Sequence, residues 1–334
     1  MGKRMRALVV LGVSAIAVAS LTAALAIPAS GAPDARTANS NTYYWISQDS
    51  TLPLFVQNDY VGLKAAEKHL GIKVKIAGPT GINLQQFIAT INQVCAQHPA
   101  GVSVVGWDPS LSAAVNKCIE QGVPTVTDDA DLPDSNRMTF IGTNWYTIGV
   151  EQAKALIAAT GGKGEVATTS IINADNMRLA RNGFNATMKA KAPGIKIVAN
   201  EDDGGDRSKA AGVVANILAA HPKLAGIAGF DAESGPGIVR ALTEGGKLGK
   251  VKVTSMEAEP AFFQEVKKGN VAAIIVQKRE LFTYYAMQVL WDLNHNGLTV
   301  EGLSKKSAPP IPLNIDTGLA VVTKANVGTL GKSK

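Results

Sequence analysis

From Asn41 onward the hydrophobic positions fall into two alternating patterns. Short runs rich in valine and isoleucine, such as GVSVVGW (101–107) and KVKVTSM (250–256), predict strands. Longer stretches with apolar residues at helical spacing, such as NLQQFIATINQVCAQHP (83–99), predict helices. The first series places strands at TYYWISQ, KVKIAGP, GVSVVGW, PTVTDD and MTFIGTN. Helices separate them, the first running over 53–71 with Gly71 as its stop. Near Trp145 the series restarts, with strands GEVATTSII, IKIVANE, LAGIAGF, KVKVTSM and VAAIIVQ, and ends on a long helix around LFTYYAMQVLWDLNHNG. This alternation predicts an α/β protein with parallel sheets covered on both faces.

One phrase occurs twice. HPAGVSVVGWDPS (98–110) and HPKLAGIAGFDAES (221–234) each place an aspartate ten positions after a histidine, with an aromatic just before the aspartate. Each is a helix end, a strand and a helix start. The match extends from NKCIEQGVPTVTDD to VRALTEGGKLGKVKVTSMEAE, as two lobes of one architecture require. His98 and His221 then close helices, where positive charge suits the dipole.

Ligands of open parallel sheets bind beyond the carboxyl ends of the strands. The polar residues there are Gln48 and Asp49, Asp108, and Asp128 with Asp129, then Asp175, Asp231, Glu257 and Glu259, with Arg178 opening a helix. Carboxylates and amides bind adjacent hydroxyls, arginine donates several hydrogen bonds, and an aromatic face packs on C–H groups. A small neutral polyhydroxylated ligand suits such a cleft. Asp175 and Asp231 read equally well as helix N-caps.

Catalytic signatures are missing from the sequence. It has no G-x-S-x-G and no G-x-G-x-x-G after the first strand, and AATGGKGE (158–165) lacks the spacing of a phosphate loop. Asp128 and Asp129 are adjacent on a strand and so point to opposite faces, unlike a glycosidase pair. DDADLPDS lacks the alternating oxygen ligands of a calcium loop, so no metal is expected, and no cofactor is expected either.

The order of these residues resembles the periplasmic sugar-binding proteins of the ribose-binding type over roughly Asn41 to Val327. The resemblance implies the type I fold: two Rossmann-like lobes with parallel sheets, joined by a three-strand hinge. It places the lobes at 41–145 with 279–312, and at 146–277 with 313–330, with hinges near 144–146, 276–279 and 312–315. The family's Asn-Pro-Phe-Phe falls on Leu52-Pro53-Leu54-Phe55, which keeps the ring of Phe55. Its Asp-Arg falls on Asp129-Ala130, so the arginine is absent. Its helix-opening arginine matches Arg178, its Asn-Asp-Glu falls on Phe230-Asp231-Ala232, its ligand aspartate falls on Glu257, and its crossover glutamine matches Gln277. With Gln48, Asp49 and Asp108 from their place beyond strand ends, the expected ligand set is Gln48, Asp49, Phe55, Asp108, Asp129, Arg178, Phe230, Asp231, Glu257 and Gln277. Trp107, Trp145 and Phe230 are candidates for a stacking face and equally for core. The tail also resembles relatives that bind rhamnose or autoinducer-2.

Composition adds the setting. Of 334 residues, 46% are hydrophobic and 5% aromatic, enough for a substantial core. The net charge is +6, but Lys3, Arg4 and Arg6 carry three of those charges, and no basic stripe suggests nucleic acid. MGKRMR followed by a long apolar run and small residues to Gly31 reads as a secretory signal peptide (1–31), with a membrane anchor as the other reading. Cys95 and Cys118 are the two cysteines, either a disulfide or two buried thiols. The expected activity is capture of a small neutral sugar or polyol outside the cytoplasm by a monomer that delivers it to an ABC importer permease. A sensing receptor is the second reading, a carbohydrate enzyme a third, and a repressor core a fourth.

Overall fold

The computed structural model describes residues 39–257, 262–295 and 311–329. The expected signal peptide, Glu259 and residues 296–310 lie outside the described residues. The first series forms β1 (Asn39–Ile46), α1 (Tyr60–Leu70), β2 (Lys73–Ala77), α2 (Leu84–Cys95), β3 (Pro99–Val105), α3 (Ser112–Glu120), β4 (Thr125–Asp128) and β5 (Phe140–Gly142). The second forms α4 (Trp145–Thr160), β6 (Lys163–Ser170), α5 (Asp175–Lys191), β7 (Gly194–Asp202), α6 (Arg207–Ala220), β8 (Leu224–Gly229), α7 (Ser234–Glu244), β9 (Lys252–Met256), α8 (Phe263–Lys268) and β10 (Ala273–Gln277). After them come α9 (Arg279–Asn294), β11 (Asn314–Asp316) and β12 (Leu319–Thr323).

Two six-stranded sheets result, ordered β11-β5-β4-β3-β1-β2 and β12-β10-β9-β8-β6-β7. The orders superpose strand for strand, so the doubled phrase marks α2–β3 and α6–β8, equivalent parts of two lobes. All pairings are parallel except β10 with β12.

Strand alternation divides each core in two. In β1, Tyr43 and Trp45 pack under α1 and α9, while Tyr44 and Ile46 pack under α2 and α3. In the second lobe, Ile227 and Val253 face α6 and α7, while Ala228 and Met256 face α4 and α5. Asn83, Asn144 and Asp206 accept from backbone N–H groups at the starts of α2, α4 and α6. Gly71 ends α1 at φ 65°, a conformation suited to glycine.

The chain crosses between sheets at Thr143–Asn144, at Lys278 and at Thr317–Gly318. The third crossing falls later than the expected 312–315, because Asn314–Asp316 pair with Phe140–Gly142 as the edge of the first sheet. Thr317 N donates to Gly142 O (2.9 Å) and Thr143 Oγ1 to Gly318 O (3.2 Å), which ties the first and third crossings together.

Cys95 at the end of α2 and Cys118 on α3 form a disulfide, with Cα atoms 5.3 Å apart. It closes a loop of sequence separation 23 and joins two neighbouring helices of the first lobe. Replacing both cysteines by alanine is expected to lower stability by about 3 kcal/mol through the wider unfolded ensemble. Urea unfolding of the oxidised wild type against the double variant measures this.

Candidate functional site

A cleft of about 330 Å³ opens between the carboxyl ends of the two sheets. Loops after β1, β3 and β4 supply Gln48, Trp107 and Asp129 from the first lobe. Asn176 of α5, Asp231 after β8 and Glu257 after β9 come from the second. Gln277 and Arg279 flank the second crossing. Phe55, Trp107 and Trp145 provide aromatic lining, and Leu52, Leu54, Ile171 and Met177 add aliphatic surface.

Arg279 is the centre of the floor. It is 2% exposed and opens α9. Its Nε and Nη2 donate to Asp59 (2.8 and 3.0 Å), and its Nη1 and Nη2 donate to Asp129 (both 2.9 Å). The guanidinium carbon lies 5.0 Å from the Phe55 ring centre and 5.5 Å from that of Phe282, a packing that suits a planar cation. Burial works against its charge, but Asp129, Asp59 and Glu257 outweigh it and hold its pKa well above the usual arginine range.

Asp59 reaches this cation from a single π-helical turn, Phe55–Asp59, that precedes α1. Burial pushes its carboxyl up to about 7, opposed by Arg279 and reinforced by Asp129 and Asp128. Asp128 points away from Asp129 and accepts from Trp45 Nε1 (2.9 Å) and Ser103 Oγ (2.8 Å). Burial still lifts it to about 6.

Asp129 and Glu257 occupy equivalent positions in the two lobes. Each follows a strand in the left-handed region, at φ 62° and 50°. Each donates its backbone N–H across the sheet, to Ile141 O and Ile275 O. Strained non-glycine backbone of this kind concentrates at ligand sites. Here it turns both carboxyl groups toward Arg279, Asp129 in contact and Glu257 Oε1 at 3.9 Å from Nη1. Burial raises the Glu257 carboxyl to about 8.

Several buried polar atoms on residues that line the cleft have no hydrogen-bond partner among the described residues. They are Gln48 Oε1, Trp107 Nε1, Asn176 Oδ1, Glu257 Oε1 and both side-chain polar atoms of Gln277. Buried donors and acceptors are ordinarily paired. These six atoms come from both lobes and from the hinge.

Seven of the ten residues expected from the sequence line the cleft: Gln48, Asp49, Phe55, Asp129, Asp231, Glu257 and Gln277. Three do not. Arg178 lies on the surface in an i,i+3 pair with Asp175 (2.8 Å), because the register of α5 turns Arg181 inward instead, onto Ser170 Oγ and Ile172 O. Phe230 is fully buried edge-on against Phe184, with ring centres 5.5 Å apart. Asp108 caps a short turn by accepting from Ser110 N and Oγ. Asp231 lines the cleft but is also a cap. Its Oδ1 accepts from Glu233 N and Ser234 N. Burial and the nearby Asp203 raise its carboxyl well above the carboxylate range. Arg279, Asp59 and Asn176 were not anticipated. Among the described residues no three His, Cys, Asp or Glu side chains are arranged to hold a metal ion, and the carboxylates that do converge face a guanidinium.

Residues 43–297 match the sequence profile of the periplasmic binding protein domain. The chain belongs to that family. It is 25% identical over 265 residues to the D-allose-binding periplasmic protein of Escherichia coli, covering 76% of this chain and 81% of the relative. A sugar-binding protein of a sugar ABC transporter from Bacillus halodurans superposes with TM-score 0.79 at 29% identity, over 86% of this chain and 99% of that one. An arabinose-binding protein from Geobacillus stearothermophilus superposes with TM-score 0.75 at 27% identity, over 87% and 99%. The two lobes, parallel sheets and three crossings of this chain are the type I fold of periplasmic binding proteins, and the cleft lies between the lobes of that fold.

Proposed function

We propose that the chain captures a small sugar or polyol outside the cytoplasm and delivers it to the permease of an ABC importer. The carrying observation is the set of unpartnered polar atoms on residues that both lobes and the hinge bring to one aromatic-lined cleft. Hydroxyl groups donate and accept at once, so a polyol can pair with Gln48 Oε1, Trp107 Nε1, Asn176 Oδ1 and the Gln277 amide together. Its C–H faces pack on Trp107, Trp145 or Phe55. The sugar-binding relatives support the same reading.

The mechanism is binding without bond chemistry. Open and closed lobes interconvert by rotation at the three crossings, and a ligand that contacts both lobes stabilises the closed state. The permease then reads closure.

A thermal-shift panel of pentoses, hexoses, deoxysugars and polyols tests this, since selective binding to the folded state raises its melting temperature. A clear rise with a subset of sugars is expected, and a folded sample that responds to none contradicts the reading. Gln277→Ala removes a buried donor and acceptor at the hinge. It is expected to weaken binding of the responding sugar by about 1–3 kcal/mol, or roughly tenfold to a hundredfold, in calorimetric titration.

A further inference from the structure

Arg279 has five N–H bonds, and four are committed to Asp59 and Asp129. Its single positive charge therefore faces two carboxylates before Glu257 is counted. Glu257 is 4% exposed. Its Oε1 lies 3.9 Å from Arg279 Nη1, beyond hydrogen-bond reach, and has no hydrogen-bond partner among the described residues. The charged groups that act on Glu257 are Arg279 on α9, Asp129 after β4 and Asp59 before α1, with Asp128 behind them on Trp45 and Ser103. A third carboxylate anion at this point would be buried, 3.9 Å from a guanidinium already shared by two carboxylates and close to both of those like charges, an arrangement that costs several kcal/mol. A proton removes that cost.

We propose that Glu257 stands in the cleft as a neutral carboxylic acid and donates a hydrogen bond to an acceptor oxygen of the bound sugar. This rests on the sugar reading above and adds a polarity to it: at this point the ligand must present a lone pair. The electrostatics agree. Burial is the largest influence and raises the carboxyl to about 8; Asp129 and Asp59 add to it, while Arg279 and the Gln277 backbone N–H oppose it.

The test has two arms. In the first, the ligand-free protein carries isotope-labelled glutamate carboxyl carbons and is titrated by carbon NMR. One resonance, absent from Glu257→Gln, is expected to hold the acid position at neutral pH and to move near pH 8. If every glutamate carboxyl is ionised at neutral pH, the proposal is overturned, whatever the ligand.

In the second arm, D-ribose, D-allose and D-arabinose are titrated calorimetrically across pH. Association is expected to be flat through neutrality and to fall about tenfold per pH unit above about 8. Glu257→Gln keeps a neutral group with N–H to donate and is expected to remove that pH dependence. Glu257→Ala is expected to weaken binding at neutral pH and to remove the fall at alkaline pH. Association that holds or strengthens at alkaline pH overturns the donor role while leaving sugar binding intact. Silence from all three sugars counts against the sugar reading, and the carbon titration alone then decides the state of Glu257.

Discussion

Replacing Arg279 by methionine is expected to destabilise the folded chain by about 3–5 kcal/mol, more than any other single substitution in the cleft. The side chain is buried, so its loss strands Asp59 and Asp129 in the interior with no cation. At about 2.1 cal/mol/K per residue over roughly 300 folded residues, melting temperature shifts by about 1.6 °C per kcal/mol, so a fall of about 5–8 °C is expected at neutral pH. The loss should shrink toward pH 5, where the stranded carboxylates take protons. A methionine variant as stable as wild type at neutral pH would show that Arg279 does not hold these groups.

The wild-type protein is expected to be more stable at pH 5 than at pH 8.5. Glu257, Asp59 and Asp128 bind protons more tightly folded than unfolded, with folded values of about 8, 7 and 6, burial being the first cause in each case. Their contribution is fully present below the unfolded value near 4 and is lost as pH rises through those three values. Asp231 acts in the same direction. Only the part of each shift that lies above pH 5 counts in this window, at about 1.4 kcal/mol per pH unit. Asp202 and Glu265 have the opposite shift, from their lysine partners Lys209 and Lys268, and matter below about pH 4, outside this window. Thermal melts across pH 5–8.5 should therefore decline steadily, and Asp59→Asn should flatten part of the slope. A melting temperature that is flat or rises over this range would contradict the charge arrangement of the cleft floor.

The parallel α/β architecture and its two lobes were legible in the sequence because strand and helix periods alternate cleanly and the two lobes repeat. Asp129 and Glu257 were legible as carboxylates just beyond strand ends, and Gln277 through the family resemblance. Arg279 was not. It stands two residues after Gln277, where a charged residue at a helix start looks ordinary, and its partner Asp59 is 220 positions away in the chain. The π-helical turn that delivers Asp59 has no sequence signature of its own in 53–71, so it too was not read.

Arg178 shows the converse problem. Helix α5 carries arginines at 178 and 181, and the resemblance favoured the first. Packing of Met177, Ala180 and Phe184 into the core sets the helix rotation, which points Arg181 at the end of β6 and leaves Arg178 with Asp175. The aspartates of the doubled phrase were ambiguous for a physical reason. A carboxylate after a strand can face the ligand or cap the next helix, and Asp231 borders the cleft while it caps.

The most direct measurement is a crystal structure grown with the sugar that gives the largest thermal shift. Sugar between the lobes, bonded to Gln48 or Trp107 on one side and to Asn176, Glu257 and Gln277 on the other, is the expected result. Sugar bound elsewhere, or held by one lobe alone with those atoms still unpaired, would contradict capture by closure of this cleft.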